Sequence, residues 1–269
     1  MSSRLAVVPL GPRAALALGL ASVVGLAAFG WPLLVSPRAG LEHAHDAPWL
    51  FVGLLPLLLA VVLAEIAEGG IDAKAVALLG VLAAIGGALR PLGPGVAGLE
   101  PTLFLIILAA RVLGPGFGFV LGALTYFASA LLTAGVGPWL PFQMLGAAWV
   151  GLGAGCLPSR LRGRAELAML AGYTAVASLF YGLLLNLWFW PFATFVGGSG
   201  IGFAPDASVA DNLHRLVLFT LATSLGYDIP RAVLNAAIVL FAGPAVLLAL
   251  RRAARRAAFD VAATFEPAP

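Results

Sequence analysis

RVLGPGFGFVLGALTYFASALLT, residues 111–133, admits two readings. Gly114-Pro115-Gly116-Phe117-Gly118 has the glycine density of a phosphate-cradling loop, and residues 119–133 have the apolar density of a lipid-buried helix. A phosphate loop needs a strand before it and a Lys-Ser/Thr pair after it. This stretch has neither. It reads instead as a tight turn between two helices, where proline presets one dihedral and glycine tolerates positive φ beside it.

The rest of the chain agrees. Of 269 residues, 61% are hydrophobic and 10% charged, and the mean hydropathy is +1.03. Soluble domains carry about 25% charged residues, so this composition cannot cover a water-facing surface. The expected fold class is all-α, a polytopic transmembrane helix bundle. Apolar runs separated by turn residues give about eight spans, at 14–35, 49–67, 75–89, 101–113, 117–134, 142–157, 167–190 and 229–250. The first is long enough for the hydrocarbon core of about 30 Å and is expected to remain as a membrane helix. Residues 212–228 hold an apolar stretch too short to span, which reads as an interfacial or re-entrant segment. The lone Cys156, in an apolar run, reads as a small buried hydrophobe.

Charge sets the expected orientation. With the N-terminus inside, inner segments hold eleven of the 15 basic residues: Arg4, Arg13, Lys74, Arg111, the three arginines of 160–164, and the four of 251–256. Outer segments hold four, Arg38, Arg90, Arg215 and Arg231. By the positive-inside rule this places both termini in the cytoplasm of a multi-pass protein of the cell membrane. The basic LRRAARRAAFD segment is expected to lie along the inner leaflet against membrane lipid.

Small residues recur every fourth position. Gly114, Gly118 and Gly122 line one helix face, and Ala147, Gly151 and Gly155 line another. Such faces let helix backbones approach closely, and contact within the bundle is expected for both. A third stripe, Gly80, Ala84 and Ala88, lies in VALLGVLAAIGGALRP.

That helix is followed by Gly98-Leu99-Glu100-Pro101-Thr102, by the hairpin AARVLGPGFGFVLGA and by GPWLPFQMLGAAWVGLGAG. Over residues 75–255 the chain thereby resembles the membrane-embedded substrate-binding subunits (S components) of energy-coupling factor (ECF) ABC transporters. The resemblance implies a six-helix S-component-like core at 75–255. An N-terminal pair of extra transmembrane helices in 1–74 would precede it, and a cytoplasmic tail, 256–269, would follow. The extra pair departs from the family pattern. Gly80, Ala84 and Ala88 would dock a transmembrane coupling subunit driven by two cytoplasmic ATPase subunits. The implied function is capture of a vitamin-type solute for ATP-driven uptake, with cobalamin or another corrinoid as first substrate and thiamine or a precursor as second. A secondary transporter of a small organic solute is the alternative.

In that family substrate binds near the outer surface, and the residues at those ends can also be read on their own. Polar side chains in spans usually face the bundle interior or a wet cavity, a description that fits Gln143, Asn186 and Asn235. Arg90 and Glu100 bracket one loop and could latch to each other, or Arg90 could meet an anionic ligand group. Trp188 and Trp190, like Trp139, suit either interfacial anchors or a platform for a ring-bearing ligand, and Tyr227 completes the candidate set. Asp228 reads as a helix cap, with Pro230 in the first turn.

No nucleophile–base pair or paired carboxylates occupy span interiors, so the chain is not expected to be an enzyme, and no cofactor or nucleic acid partner is implied. Glu42-His43-Ala44-His45-Asp46 carries metal-ligand chemistry but reads as a solvated loop, and no metal site is expected.

Overall fold

In a computed structural model the chain is described at residues 12–34, 73–93, 98–193 and 200–257. Among these residues the regular structure is entirely helical. The helices are α1 (Pro12–Leu34), α2 (Ala73–Leu89), α3 (Leu103–Leu113), α4 (Pro115–Leu132), α5 (Leu140–Gly155), α6 (Gly163–Phe189), α7 (Val209–Phe219), α8 (Leu225–Phe241) and α9 (Gly243–Ala257). The runs containing α1, α2, α4 and α6 are each long and apolar enough to cross a membrane, and the bent run through α7, α8 and α9 makes a fifth. The chain is a multi-pass membrane protein. The span expected at 49–67 and the His43–His45 loop lie outside the described residues.

Not every expected span is a full crossing by length. α3 has 11 residues, about 16 Å at 1.5 Å per residue. It is instead the centre of the bundle: Ile106, Ile107, Leu108, Ala109 and Ala110 are completely buried. A helix that is apolar all round is stable where protein surrounds it on all sides.

The turn after α3 takes a single residue. Gly114 has φ 110° and donates its N–H to the Ala110 carbonyl, and Pro115 begins α4 at once. A side chain at that φ would be strained. Proline at the first helical position loses nothing, because that N–H has no partner within the helix in any case.

α4 then returns against α5 through the two small-residue faces. A Cβ on Gly118 would fall 2.6 Å from the Gly151 carbonyl oxygen, and one on Gly122 would run into the Ala147 carbonyl. A Cβ on Gly151 would strike the Gly118 carbonyl, and one on Gly155 the backbone of Pro115. The expected contact within the bundle is therefore made backbone to backbone, the closest approach helices can achieve.

α1 lies against α5 and α6. Phe29 meets Phe142 edge-on with ring centroids 4.9 Å apart, and Trp149 Nε1 donates to Ser22 Oγ at 2.9 Å. Trp149 is thus a packing residue.

The last span differs from the expected 229–250. α7 continues through a π-helical turn, Thr220–Ser224, directly into α8, so 212–228 is not a separate segment but part of one long helical run. That run ends at Ala242, and α9 turns away by 65°. Pro244 explains the break, because it has no N–H to offer the Leu240 carbonyl four residues earlier and its ring crowds that carbonyl. Asp228 consequently has no helix start to cap. Cys156 sits exposed just past α5, where the chain leaves the bundle, and is not buried.

An ion triad holds α9 in place. Glu166, in the first turn of α6, accepts from Arg111 Nε at 2.8 Å and from Arg251 Nη2 at 2.7 and 2.8 Å. Arg111 also donates to the carbonyls of Leu157 and Leu161 at 3.0 and 3.3 Å. Three helices are tied at this end of the bundle by one carboxylate.

A charged cavity at the Arg90 end of the bundle

The opposite end is organised around Glu100, which lies in the link between α2 and α3. Glu100 Oε1 accepts from Arg90 Nε at 2.9 Å and from the Tyr126 hydroxyl at 2.9 Å. Arg231 Nη1 approaches Glu100 Oε2 at 3.8 Å. Arg231 also pairs with Asp228 one turn earlier on α8, and Asp228 in turn accepts from Ser224 Oγ at 2.7 Å. Two cations and two carboxylates thus meet where four helices converge. Each guanidinium also lies over an aromatic face, Arg90 at 4.7 Å from the Tyr126 centroid and Arg231 at 5.2 Å from that of Tyr181. Charge in an apolar bundle is expensive unless it is paired in this way.

Above this cluster opens a cavity of about 370 Å³. Arg90, Glu100 and Arg231 form its charged floor, and Ser129, Trp139 and Tyr227 line its walls. Ser129 Oγ and Arg231 Nε are buried without a hydrogen-bond partner among the described residues. Buried polar atoms are nearly always satisfied, and both of these belong to residues that line the cavity.

The candidate residues separate cleanly against this geometry. Arg90, Glu100, Trp139 and Tyr227 line the cavity. Arg90 is latched to Glu100 and also lines the cavity. Gln143 stands behind, its side-chain oxygen accepting from Arg90 Nη2 at 3.0 Å.

Asn235 is completely buried and wholly engaged. Its side chain accepts from the Phe104 amide at 3.0 Å and donates to the carbonyls of Glu100 and Arg231 at 2.8 and 2.9 Å. It caps the start of α3 from a helix far along the chain and holds the Glu100 backbone, but does not line the cavity. Asn186 donates to Ser224 Oγ at 2.7 Å and to Thr220 Oγ1 at 3.2 Å, across from the π-helical turn, and is likewise a structural partner.

Trp188, near the end of α6, and Trp190, just past it, are both packed inside the protein and do not line the cavity. Trp188 is buried and stacks on Phe142, centroids 5.2 Å apart. Trp190 is buried against Phe203 and donates Nε1 to the Ile201 carbonyl at 2.8 Å, pinning the segment before α7. Their bulk suited both sequence readings, and tertiary contact claimed it.

Ser129, Thr133 and Arg231 line the cavity without having been among the candidate site residues, and neither was Tyr126, which holds Glu100 from outside the lining. A signal for three of these four was present. Tyr126, Ser129 and Thr133 succeed one another at three- and four-residue spacing along α4, a polar stripe on an otherwise apolar span. Among the described residues no His, Cys, Asp or Glu group has the arrangement of a metal site.

Comparison with known proteins finds no matching family model, no matching curated protein and no matching solved structure.

Proposed function

We propose that this chain is a membrane-embedded solute-binding subunit that captures a small polar, ring-bearing molecule in the Glu100 cavity and hands it to separate energising subunits. The observation that carries this reading is the cavity itself, about 370 Å³ with both charge signs on its floor, sunk into the end of an apolar bundle. Small-molecule sites run from about 300 to 1,000 Å³, mostly apolar with a few polar anchors. A volume near the lower bound favours a thiamine-sized solute over a corrinoid, which reverses the order expected from the resemblance. In this reading the chain does no chemistry of its own, and the cavity opens outward, with the arginine-rich opposite end and both termini in the cytoplasm of the cell membrane.

The S-component reading also draws support from α2. Gly80, Ala84 and Ala88 are all exposed, and a Cβ on Gly80 would meet nothing within 4 Å, whereas Gly86 and Gly87 on the opposite face press on Thr125, Ala128 and Ser129. Among the described residues nothing packs on a Cβ at Gly80, and a flat small-residue face of this kind suits close approach by the coupling subunit that two cytoplasmic ATPases would drive. Ala84→Trp should abolish copurification with that subunit while ligand capture is retained. Unchanged copurification would remove α2 as the docking helix.

The cavity reading is tested by native mass spectrometry of gently purified protein, alone and after incubation with thiamine or cobalamin. A retained small molecule is expected, and Thr133→Trp, at an exposed position on the cavity wall, should lose it while staying monodisperse. A chain that retains nothing and binds neither vitamin would favour the alternative, a secondary transporter of a small organic solute.

A further inference from the structure

At the Arg111 end, a second cavity of about 300 Å³ runs between α6 and α9. Its lining is largely apolar, with Leu167 from α6 and Pro244, Leu247 and Leu248 from α9; it also includes Arg251, Arg255 and the Glu166 carboxylate, which Arg111 and Arg251 already engage. The α9 residues fall on one face of that helix, whereas Arg252 does not line the groove.

Charge here is out of balance. Glu166 is shared by Arg111 and Arg251, so the triad carries one surplus positive charge. The Arg111 and Glu166 side chains are 4% and 2% exposed, a setting in which water screens little of that surplus. Arg255 adds another cation and makes no ion pair among the described residues. Arg251 binds Glu166 through Nη2 alone, which leaves Nε and Nη1 as donors without a hydrogen-bond partner among the described residues.

We propose that this groove holds one anionic phospholipid, with its phosphate on Arg251 and Arg255 and the start of an acyl chain along Leu167 and Leu248. Guanidinium forks match phosphate geometry and bind it by charge-assisted hydrogen bonds. A multi-pass chain places such a groove at the boundary between head groups and hydrocarbon, where the lipid is always at hand. An apolar wall would be wasted on a free anion, and a pair of arginines on a zwitterionic lipid. The bound phosphate neutralises the surplus charge of the triad and fastens α9 to α6. This inference stands apart from the solute cavity, which lies at the other end of the bundle.

The test uses full-length protein, delipidated in dodecyl maltoside and titrated with dioleoylphosphatidylglycerol, dioleoylphosphatidylcholine or inorganic phosphate. Phosphatidylglycerol should raise the melting temperature saturably and survive as a one-to-one adduct in native mass spectrometry, and the other two should not. Arg255→Gln should weaken that binding about tenfold, the effect of one charge-assisted contact, and Arg252→Gln should leave it unchanged. Leu248→Glu, at an exposed position, should abolish binding by placing a carboxylate against the phosphate. An equal response to phosphatidylcholine, or equal losses from Arg252→Gln and Arg255→Gln, would overturn the proposal. So would an equal shift with inorganic phosphate, which would identify a free-anion site.

Discussion

Gly122→Leu should leave almost no folded protein. Gly122 meets the Ala147 carbonyl directly, and Gly118 and Gly151 meet one turn away, so the added side chain has only backbone to displace. Overpacking a core costs about 1–3 kcal/mol where neighbouring side chains can shift. Here neither helix can retreat without opening the whole α4–α5 contact, and the loss should exceed that range. The measurement is size-exclusion chromatography of detergent extracts, in which the monodisperse peak should disappear. Gly172→Leu is the matched control, since Gly172 is exposed on α6 with nothing within 4 Å of a Cβ, and it should behave as the parent protein. A monodisperse, parent-like Gly122→Leu would mean that the close contact is not required.

Glu166→Gln carries the second large effect. It removes the counter-charge from Arg111, whose guanidinium is buried. Two backbone carbonyls still accept from Arg111, so hydrogen bonding survives while charge compensation does not. Breaking one side of a buried ion pair costs about 3–5 kcal/mol. A thermal melt in detergent should show a lower transition, with α9 released first because Arg251 loses its partner as well. Replacing both members, Arg111→Met with Glu166→Met, should recover the part of the loss that comes from Arg111, because an apolar pair in the same space strands no buried charge and leaves unpaired only Arg251, which is 34% exposed. If the double variant melted no higher than Glu166→Gln, burial of an uncompensated charge would not be the cause.

Much of this architecture was legible along the chain because its determinants are local. An apolar run bounded by turn residues becomes a helix in lipid, where every backbone group must bond within its own segment. Gly114-Pro115 carries its own dihedral preferences, and four-residue spacing of glycines states which helix face is flat. The fate of the final span was harder to read. Apolar composition continues past Gly243-Pro244, so hydropathy extended the span to residue 250 through a 65° bend. Likewise the polar residues of 212–228 concealed a continuous helix, whose polar side is satisfied by Asn186 and by the segment after Trp190.

The candidate site divides along the same line. Length, composition and the spacing of small residues were enough to establish a helical multi-pass chain, its tight α3–α4 turn and the α4–α5 contact, since these arise from interactions within or between neighbouring segments. Whether a polar or aromatic side chain faces a cavity or a neighbour depends on residues far away in the chain. Asn235 is consumed by Phe104 and Glu100, at separations of 131 and 135 residues, and Trp188 by Phe142. Arg90, Glu100 and Arg231 become one charged floor because α2, the α3 link and α8 converge, and no local pattern encodes that convergence. Long-range contact sorted equivalent-looking residues into cavity wall and core, because a buried polar group takes whichever partner the fold brings within reach.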